Sequence, residues 1–264
     1  MKKYLLIALN TIKESAEFRL NHILSFLTIA LPFVFVILLW KKVFIYVYDI
    51  KGFTLSGIIT YYFFSILLQD LMYVGVNWEI LMDIKDGKLS LYLVKPIKYP
   101  VAMFFIRLGV NIPYFLSGLI ILSVYLIWIK EYFIFQTNFV ILGLFFLTTF
   151  LAFVLAYIFT FTFSILSFWL EEISGVNLLI NVFMPILTGL VLPLSMFPSP
   201  ISSILKILPF RYTLNFPIVV YLGKLSTYQI KTGILIQIFW ILSGVVIAHL
   251  LWSKGLKRYQ AVGG

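Results

Sequence analysis

Apolar residues fill most of the chain in long blocks, separated by short polar stretches of unlike character. Six blocks reach the ~20 residues a helix needs to cross a hydrocarbon layer of ~30 Å: 21–40, 56–78, 101–128, 139–168, 175–197 and 230–252. Ahead of them, residues 2–20 set Leu5, Ala8, Leu9, Ile12, Ala16 and Leu20 along one stripe, with Lys3, Lys13, Glu14 and Glu17 off it. That spacing predicts an amphipathic helix lying in the membrane surface. The expected architecture is an all-α integral membrane protein of one domain: six transmembrane helices, an N-terminal interfacial helix, and re-entrant helices before the last span.

Irregularities in the blocks refine this picture. Pro32 kinks the first span without breaking it. The block 139–168 is longer than a bilayer requires, which predicts tilt or projection. Pro185, Gly189 and Pro193 interrupt the fifth block and predict a broken span able to flex. In 198–229, Pro198, Pro200, Pro209 and Pro217 punctuate the runs 201–208 and 215–222. Each run is too short to cross, so both read as re-entrant or surface helices shielded by protein.

The stretch 79–100 differs from every other connection. Between 79 and 98 it carries Glu79, Asp83, Lys85, Asp86, Lys88, Lys95 and Lys98. At roughly 2.5–3.5 kcal/mol per buried charge, placing it in hydrocarbon would cost well over ~10 kcal/mol, so it lies outside. Within it Leu89, Tyr92 and Leu93 fall on one helical face, Gly87 starts a turn and Pro96 stops the helix. Two readings stay open from these residues alone: a docking helix for another protein, or a basic loop that only fixes topology.

Composition agrees with the block pattern. The chain is 62% hydrophobic and 11% charged, against ~45–50% and ~25% in soluble domains. Its net charge of +10 is scattered through loops and termini. Nucleic-acid binding needs a clustered basic face, so no nucleic-acid partner is expected. The charge sets topology and attracts the head groups of membrane lipids. With the N-terminus inside, twelve lysines and arginines fall in inner segments and eight in outer ones. Both termini and the 79–100 loop are therefore expected in the cytoplasm. Lys13, Glu14, Glu17 and Arg19 interrupt any cleavable leader.

Candidate chemistry is sparse. The absence of cysteine excludes disulfides, thiol catalysis and Cys-ligated metals. Gly87-Lys88 and Gly223-Lys224 are followed by Leu-Ser, not by the Ser/Thr of a phosphate-cradling loop, so no ATP site is expected. His22 and His249 lack the spacing of a metal site. Glu171 and Glu172 are adjacent, which suits a solvated turn. Neither catalysis nor a bound cofactor is expected. Asp70 is the one acid placed inside a span: a functional carboxylate by position, or one reaching head groups or a neighbouring helix. Arg211 either anchors the outer hairpin or meets an anionic cargo.

Four strings carry a family likeness. They are Ile84-Lys85-Asp86-Gly87 with Leu93-Val94-Lys95-Pro96-Ile97, and Leu208-Pro209-Phe210-Arg211-Tyr212 with Phe216-Pro217. The others are Tyr221-Leu222-Gly223-Lys224-Leu225 with Gln237 and Trp240, and Gly255-Leu256-Lys257-Arg258-Tyr259 with Val262-Gly263-Gly264. The chain resembles the permease subunits of type-2 ATP-binding-cassette exporters, in the short branch without a fused ATPase.

The resemblance implies half of an efflux transporter in the inner membrane of a prokaryote. A second permease copy, or a related permease, would complete the path. ATP would be bound by a separate ATPase subunit and by nothing on this chain. That subunit would grip Gly87, Leu89, Tyr92, Leu93, Lys95 and Pro96, together with helix 2–20. Pro209, Arg211, Tyr212 and Pro217 would belong to the outer re-entrant cap, and Pro185, Gly189 and Pro193 would let the fifth span bend. A secondary transporter or channel independent of ATP is the alternative; it would want several intramembrane charges or an internal repeat.

Overall fold

The computed structural model describes residues 2–17, 19–69 and 71–259, and between residues 16 and 28 only the backbone. Asp70, the His22 side chain and the terminal Val262-Gly263-Gly264 lie outside the described residues. Among the described residues eleven α-helices follow one another: α1 Lys2–Glu17, α2 Arg19–Val43, α3 Leu55–Leu68, α4 Trp78–Lys85, α5 Leu89–Leu93, α6 Tyr99–Ile129, α7 Phe139–Ser164, α8 Ser174–Thr188, α9 Ser199–Ile207, α10 Asn215–Tyr221 and α11 Thr227–Arg258. Among the described residues the only extended pairing is an isolated bridge between Ile50 and Phe53.

Three helical stretches are long and apolar enough to cross a membrane: Tyr99–Tyr132, Phe139–Phe168 and Thr227–Arg258, again among the described residues. The helix α2 has 25 residues. By contrast α3 and α8 have 14 and 15, about 21–22 Å at 1.5 Å per residue, short of the hydrocarbon thickness.

Two of the predicted blocks are interrupted. In the second span, predicted at 56–78, α3 stops at Leu68 and α4 starts only at Trp78, which the sequence reading did not anticipate. The fifth block, predicted at 175–197 as a broken span, is helical to Thr188 and turns at Gly189, whose φ is +85°. Pro185 sits inside α8 without ending it. At the other extreme α11 runs to Arg258, beyond the predicted end at 252. The cause is packing: the Trp252 ring stacks on Tyr99 at 5.3 Å, and a Cβ at Gly255 would meet the Phe168 ring at 2.2 Å.

Aromatic packing holds the bundle together at its two ends. Toward the end opposite α4 and α5, Phe33 of α2 lies edge-on to Phe63 of α3 and Tyr125 of α6. Phe64 of α3 sits 4.3 Å from Tyr221 of α10 and 5.1 Å from Phe145 of α7. At the α4–α5 end, Ile80, Leu89, Tyr99, Ile165 and Ala248 join α4, α5, α6, the turn after α7, and α11. Between the ends, Leu38, Ile120, Ile127, Phe239 and Leu242 are exposed. Apolar faces of this extent match a lipid-covered surface.

The predicted short helices before the last span are present as α9 and α10. They measure about 13 and 10 Å, too short to cross. Gln237 of α11 is fully buried and donates both Nε2 hydrogens, to Thr148 O and Tyr212 O at 3.0 Å each. It thereby ties α7 to the 3-10 turn Pro209–Thr213 and keeps this segment on the bundle.

The helix α1 packs along the first third of α6 instead of lying free. Its Tyr4 ring stacks on Phe105 at 5.7 Å. The predicted stripe divides: Ala8 is buried, while Leu5 and Leu9 are exposed and so available to lipid. Only glycine permits the approach at 109, since a Cβ there would lie 2.6 Å from Thr11 Cβ and 2.7 Å from Ala8 O. Gly109→Val is expected to push α1 off α6 at a cost of about 1–3 kcal/mol for overpacking. Limited proteolysis checks this, with faster cleavage within residues 2–17 as the expected result.

Candidate functional site

The polar stretch predicted at 79–100 folds as two short helices and a reversal. Asn77 Oδ1 accepts the N–H groups of Glu79 at 2.9 Å and Ile80 at 3.2 Å, a side-chain cap that starts α4. Gly87, at φ +77°, takes the left-handed conformation that reverses the chain. Then α5 runs for five residues, and Pro100 lies in the first turn of α6, where its missing N–H costs nothing.

The predicted apolar face of α5 splits in two. Leu89 is fully buried and the Tyr92 ring lies edge-on to Tyr99 at 5.1 Å. These two hold α5 to the bundle, so Leu89 cannot meet a partner; this corrects its assignment. A five-residue helix has barely more than one turn, and its inward side is taken up by Ile80, Ile84 and Met103. What faces outward is Leu93, 47% exposed, with Leu91 at 61% and Val94 at 84%. The last two escaped sequence reasoning, because helical spacing pairs 89 with 92 and 93 and leaves 91 and 94 aside. Lys95 and Pro96 are exposed beside them.

This platform is bolted to four parts of the chain. Tyr99 of α6 donates its hydroxyl to Asp83 Oδ2 at 2.7 Å. The Ser90 N–H donates to Tyr259 Oη at 3.2 Å, and the Lys98 N–H to Tyr4 Oη of α1 at 2.9 Å. Lys3 Nζ donates to Pro96 O, and Lys85 Nζ to Glu171 O. The Asp86–Lys88 pair, 3.2 Å apart and exposed, adds little. Among the described residues no group of three or more His, Asp or Glu could hold a metal ion.

Desolvation pushes up the carboxyl of Asp83, which is buried, and that of Glu79, which still reaches the surface, and each is raised further by a neighbouring acid, Asp86 and Asp83 respectively. The Tyr99 hydrogen bond and Lys88 oppose this at Asp83. The folded state therefore holds these protons more tightly than the unfolded chain does. That contribution to stability is complete below the ordinary carboxylate range and is lost as pH rises through the raised values. Thermal unfolding in detergent should show a more stable protein at pH 5 than at pH 7.5. Asp83→Asn, which keeps an acceptor for Tyr99, should flatten that dependence; an unchanged slope would show that Asp83 is not its source.

Behind the platform lies the irregular backbone that replaces the end of the second predicted span. Such backbone survives at membrane depth only where protein satisfies it. Arg107 of α6, 7% exposed, donates Nη2 to Leu71 O at 3.1 Å and Tyr73 O at 2.7 Å. Thr160 Oγ1 of α7 donates to Tyr73 O at 3.0 Å. Asn177 Oδ1 of α8 accepts the Val76 N–H at 3.3 Å, and Ser164 Oγ accepts the Asn77 N–H at 2.7 Å. The Tyr73 hydroxyl donates to Asn181 Oδ1 at 3.0 Å. Three helices thus hold the link between α3 and the platform in one shape.

At the opposite end the remaining predicted residues take their places. Gly189 O accepts the Tyr61 hydroxyl at 2.6 Å, and Asn215 Nδ2 donates to Tyr61 Oη at 3.0 Å, joining α8, α3 and α10. Past Gly189 the chain folds back, with the Val191 N–H donating to Pro185 O at 3.1 Å, and Pro193 leads into the 3-10 turn Leu194–Met196. Pro209 opens the 3-10 turn Pro209–Thr213, Tyr212 is buried, Arg211 is half-buried above the Tyr212 ring, and Pro217 is buried in α10. The structure brings Gly189 together with the α9–α10 segment and keeps both far from the platform.

The sequence profile described as ABC-2 family transporter protein matches residues 26–263. Comparison with curated proteins and with solved structures finds no match.

Proposed function

Since the chain belongs to the ABC-2 transporter family and matches its permease subunits, we propose that it forms, as a dimer, the membrane path of an ATP-binding-cassette exporter driven by separate ATPase subunits. The observation that carries this reading is the exposed apolar group Leu91, Leu93 and Val94. It sits on a segment too charged to lie in hydrocarbon, so lipid is not its cover. An ATPase subunit seated there would pull on α6 through Tyr99, on α11 through Tyr259, and on α3 through the link that Arg107 holds. ATP is bound by that partner, and this chain supplies no phosphate-cradling loop. In the same reading the platform and both termini face the cytoplasm of a prokaryotic cell, residues 198–229 cap the outer side, and the turn at Gly189 between Pro185 and Pro193 is where the fifth span flexes.

The ATP-independent alternative, a secondary transporter or channel, would use a buried charge on the path. Arg107 is buried, but its Nη2 is taken up by two backbone carbonyls, and its Nη1, without a hydrogen-bond partner among the described residues, is the one donor left over. Leu93→Asp places a carboxylate in the seat while leaving the Leu89 and Tyr92 anchors in place. The expected result is a protein that inserts and folds but no longer retains its ATPase in pull-down. Retention equal to that of the unaltered chain would overturn the docking assignment.

A further inference from the structure

A cavity of about 630 Å³ opens at the end away from the platform, between the Ile50–Phe53 turn, the 3-10 turn after α9, and the start of α11. Four cations line it: Lys51, Lys206, Arg211 and Lys224. Among the described residues no carboxylate does. Among the described residues the one ion pair is Asp86–Lys88 at the other end, so none of the four has a carboxylate within 4 Å.

Two of these cations are held in place. Lys224 Nζ donates to Gly52 O and lies 3.5 Å from the Phe53 ring centroid. Burial lowers its pKa and the nearby Asp49 raises it; Asp49 itself accepts the Gly52 N–H at 2.8 Å. Arg211 rests half-buried over the Tyr212 ring. A third is presented at a conformational cost. Ile50 and Phe53 exchange backbone hydrogen bonds at 3.0 Å across a two-residue turn with φ +54° at Lys51 and +82° at Gly52. Such turns favour Asn or Gly at the first position, yet a lysine stands there, and its side chain lines the cavity. The remaining wall is apolar, from Leu194, Phe216, Val219, Leu225 and Ile236.

We propose that this cavity binds an amphiphile with an anionic head group of the phosphate type, the oxyanion among Lys51, Lys206 and Arg211 and the apolar chain along Phe216 and Ile236. Lys51 and Lys206 are exposed and Arg211 is half-buried; like charges gathered at one opening repel one another, and an oxyanion that several basic side chains share relieves that repulsion. The occupant is either the cargo or a lipid of the surrounding bilayer. The head-group chemistry is common to both, and only the cargo identity rests on the permease reading.

The test uses the full chain in neutral detergent, titrated with dihexanoyl phosphatidic acid, dihexanoyl phosphatidylcholine and inorganic phosphate. Phosphatidic acid should bind at least ~10-fold tighter than either of the others, and less tightly as salt rises. Lys206→Gln and Lys51→Asn should each weaken it by about 5-fold, the factor for ~1 kcal/mol per basic residue at an anionic surface. Lys51→Asn suits the turn, so loss of folding does not explain its effect. Lys130→Gln, an exposed cation outside the cavity, should change nothing.

Equal affinity for phosphatidic acid and phosphatidylcholine, tighter binding of inorganic phosphate, or an equal effect of Lys130→Gln would each overturn the proposal. With selective binding established, stimulation of the co-purified ATPase by phosphatidic acid identifies cargo, and binding without stimulation identifies a resident lipid. Failure of the chain to retain any ATPase counts against the permease reading and leaves the binding result standing.

Discussion

Arg107→Met is expected to destabilise the protein by about 3 kcal/mol and to uncouple the platform from α3. The guanidinium makes two charge-assisted hydrogen bonds to Leu71 O and Tyr73 O in a buried setting. Each such bond contributes roughly 1.5–3 kcal/mol net, and a stranded carbonyl costs about 1–3 kcal/mol. Relief from burying the charge offsets part of that loss. Methionine fills the volume beside Phe153, where the guanidinium now lies 5.7 Å from the ring, but donates nothing. Lysine at 107 keeps one donor group and should recover part of the loss. Thermal unfolding and protease cleavage within residues 69–77 measure both effects. A methionine variant as stable and as resistant as the unaltered chain would show that the carbonyls find other partners.

Gly189→Val is expected to cost about 3–4 kcal/mol, and to act at the far end of the molecule. Its φ of +85° is closed to a β-branched residue at a cost of about 1–3 kcal/mol. The added Cβ would also fall 2.8 Å from Tyr61 Oη and 3.1 Å from Asn215 Cβ. Tyr61 is fully buried and its hydroxyl has two partners, Gly189 O and Asn215 Nδ2. Displacing it strands all three groups. Tyr61→Phe removes the same hydroxyl without the backbone penalty and should cost less. The double variant should fall short of the sum, because both act on one hydrogen-bond node. An additive result would separate the glycine from the tyrosine and leave only the backbone cost.

The long apolar blocks made α6, α7 and α11 legible in the sequence, since their composition exceeds any requirement of a soluble helix. The prolines and the glycine around 185–193 pointed to an interrupted fifth helix, although the interruption falls at Gly189 and Pro185 is absorbed. The break in the second block was missed. Hydropathy averages over residues 69–77 and hides Gly75 and Asn77, a tight spot and a helix cap. A Cβ at Gly75 would meet the Tyr73 hydroxyl at 2.1 Å. An Asn two residues before Glu79 was the available signal for a new helix start. What no local pattern could show is that Arg107, Thr160, Ser164 and Asn177, drawn from three other elements, satisfy that break.

For the platform, charge placed the segment outside hydrocarbon and Gly87 placed the reversal. The division of Leu89 from Leu93 depends on tertiary packing against α4 and α6, which spacing within five residues does not encode. The cluster of cations around the far cavity was hidden for a similar reason. Lys51 is distant in sequence from Lys206, Arg211 and Lys224, and only the fold assembles them.

In the proposed function, energy enters through the exposed apolar seat at Leu91, Leu93 and Val94 from an ATPase on the cytoplasmic side. Because the chain has no cysteine, Val94→Cys introduces a single thiol at the most exposed point of that seat. In intact cells a membrane-permeant maleimide should label it and an impermeant one should not, and co-expression of the ATPase subunit should protect it. Labelling by the impermeant reagent from outside, or unchanged labelling with the ATPase bound, would contradict the account.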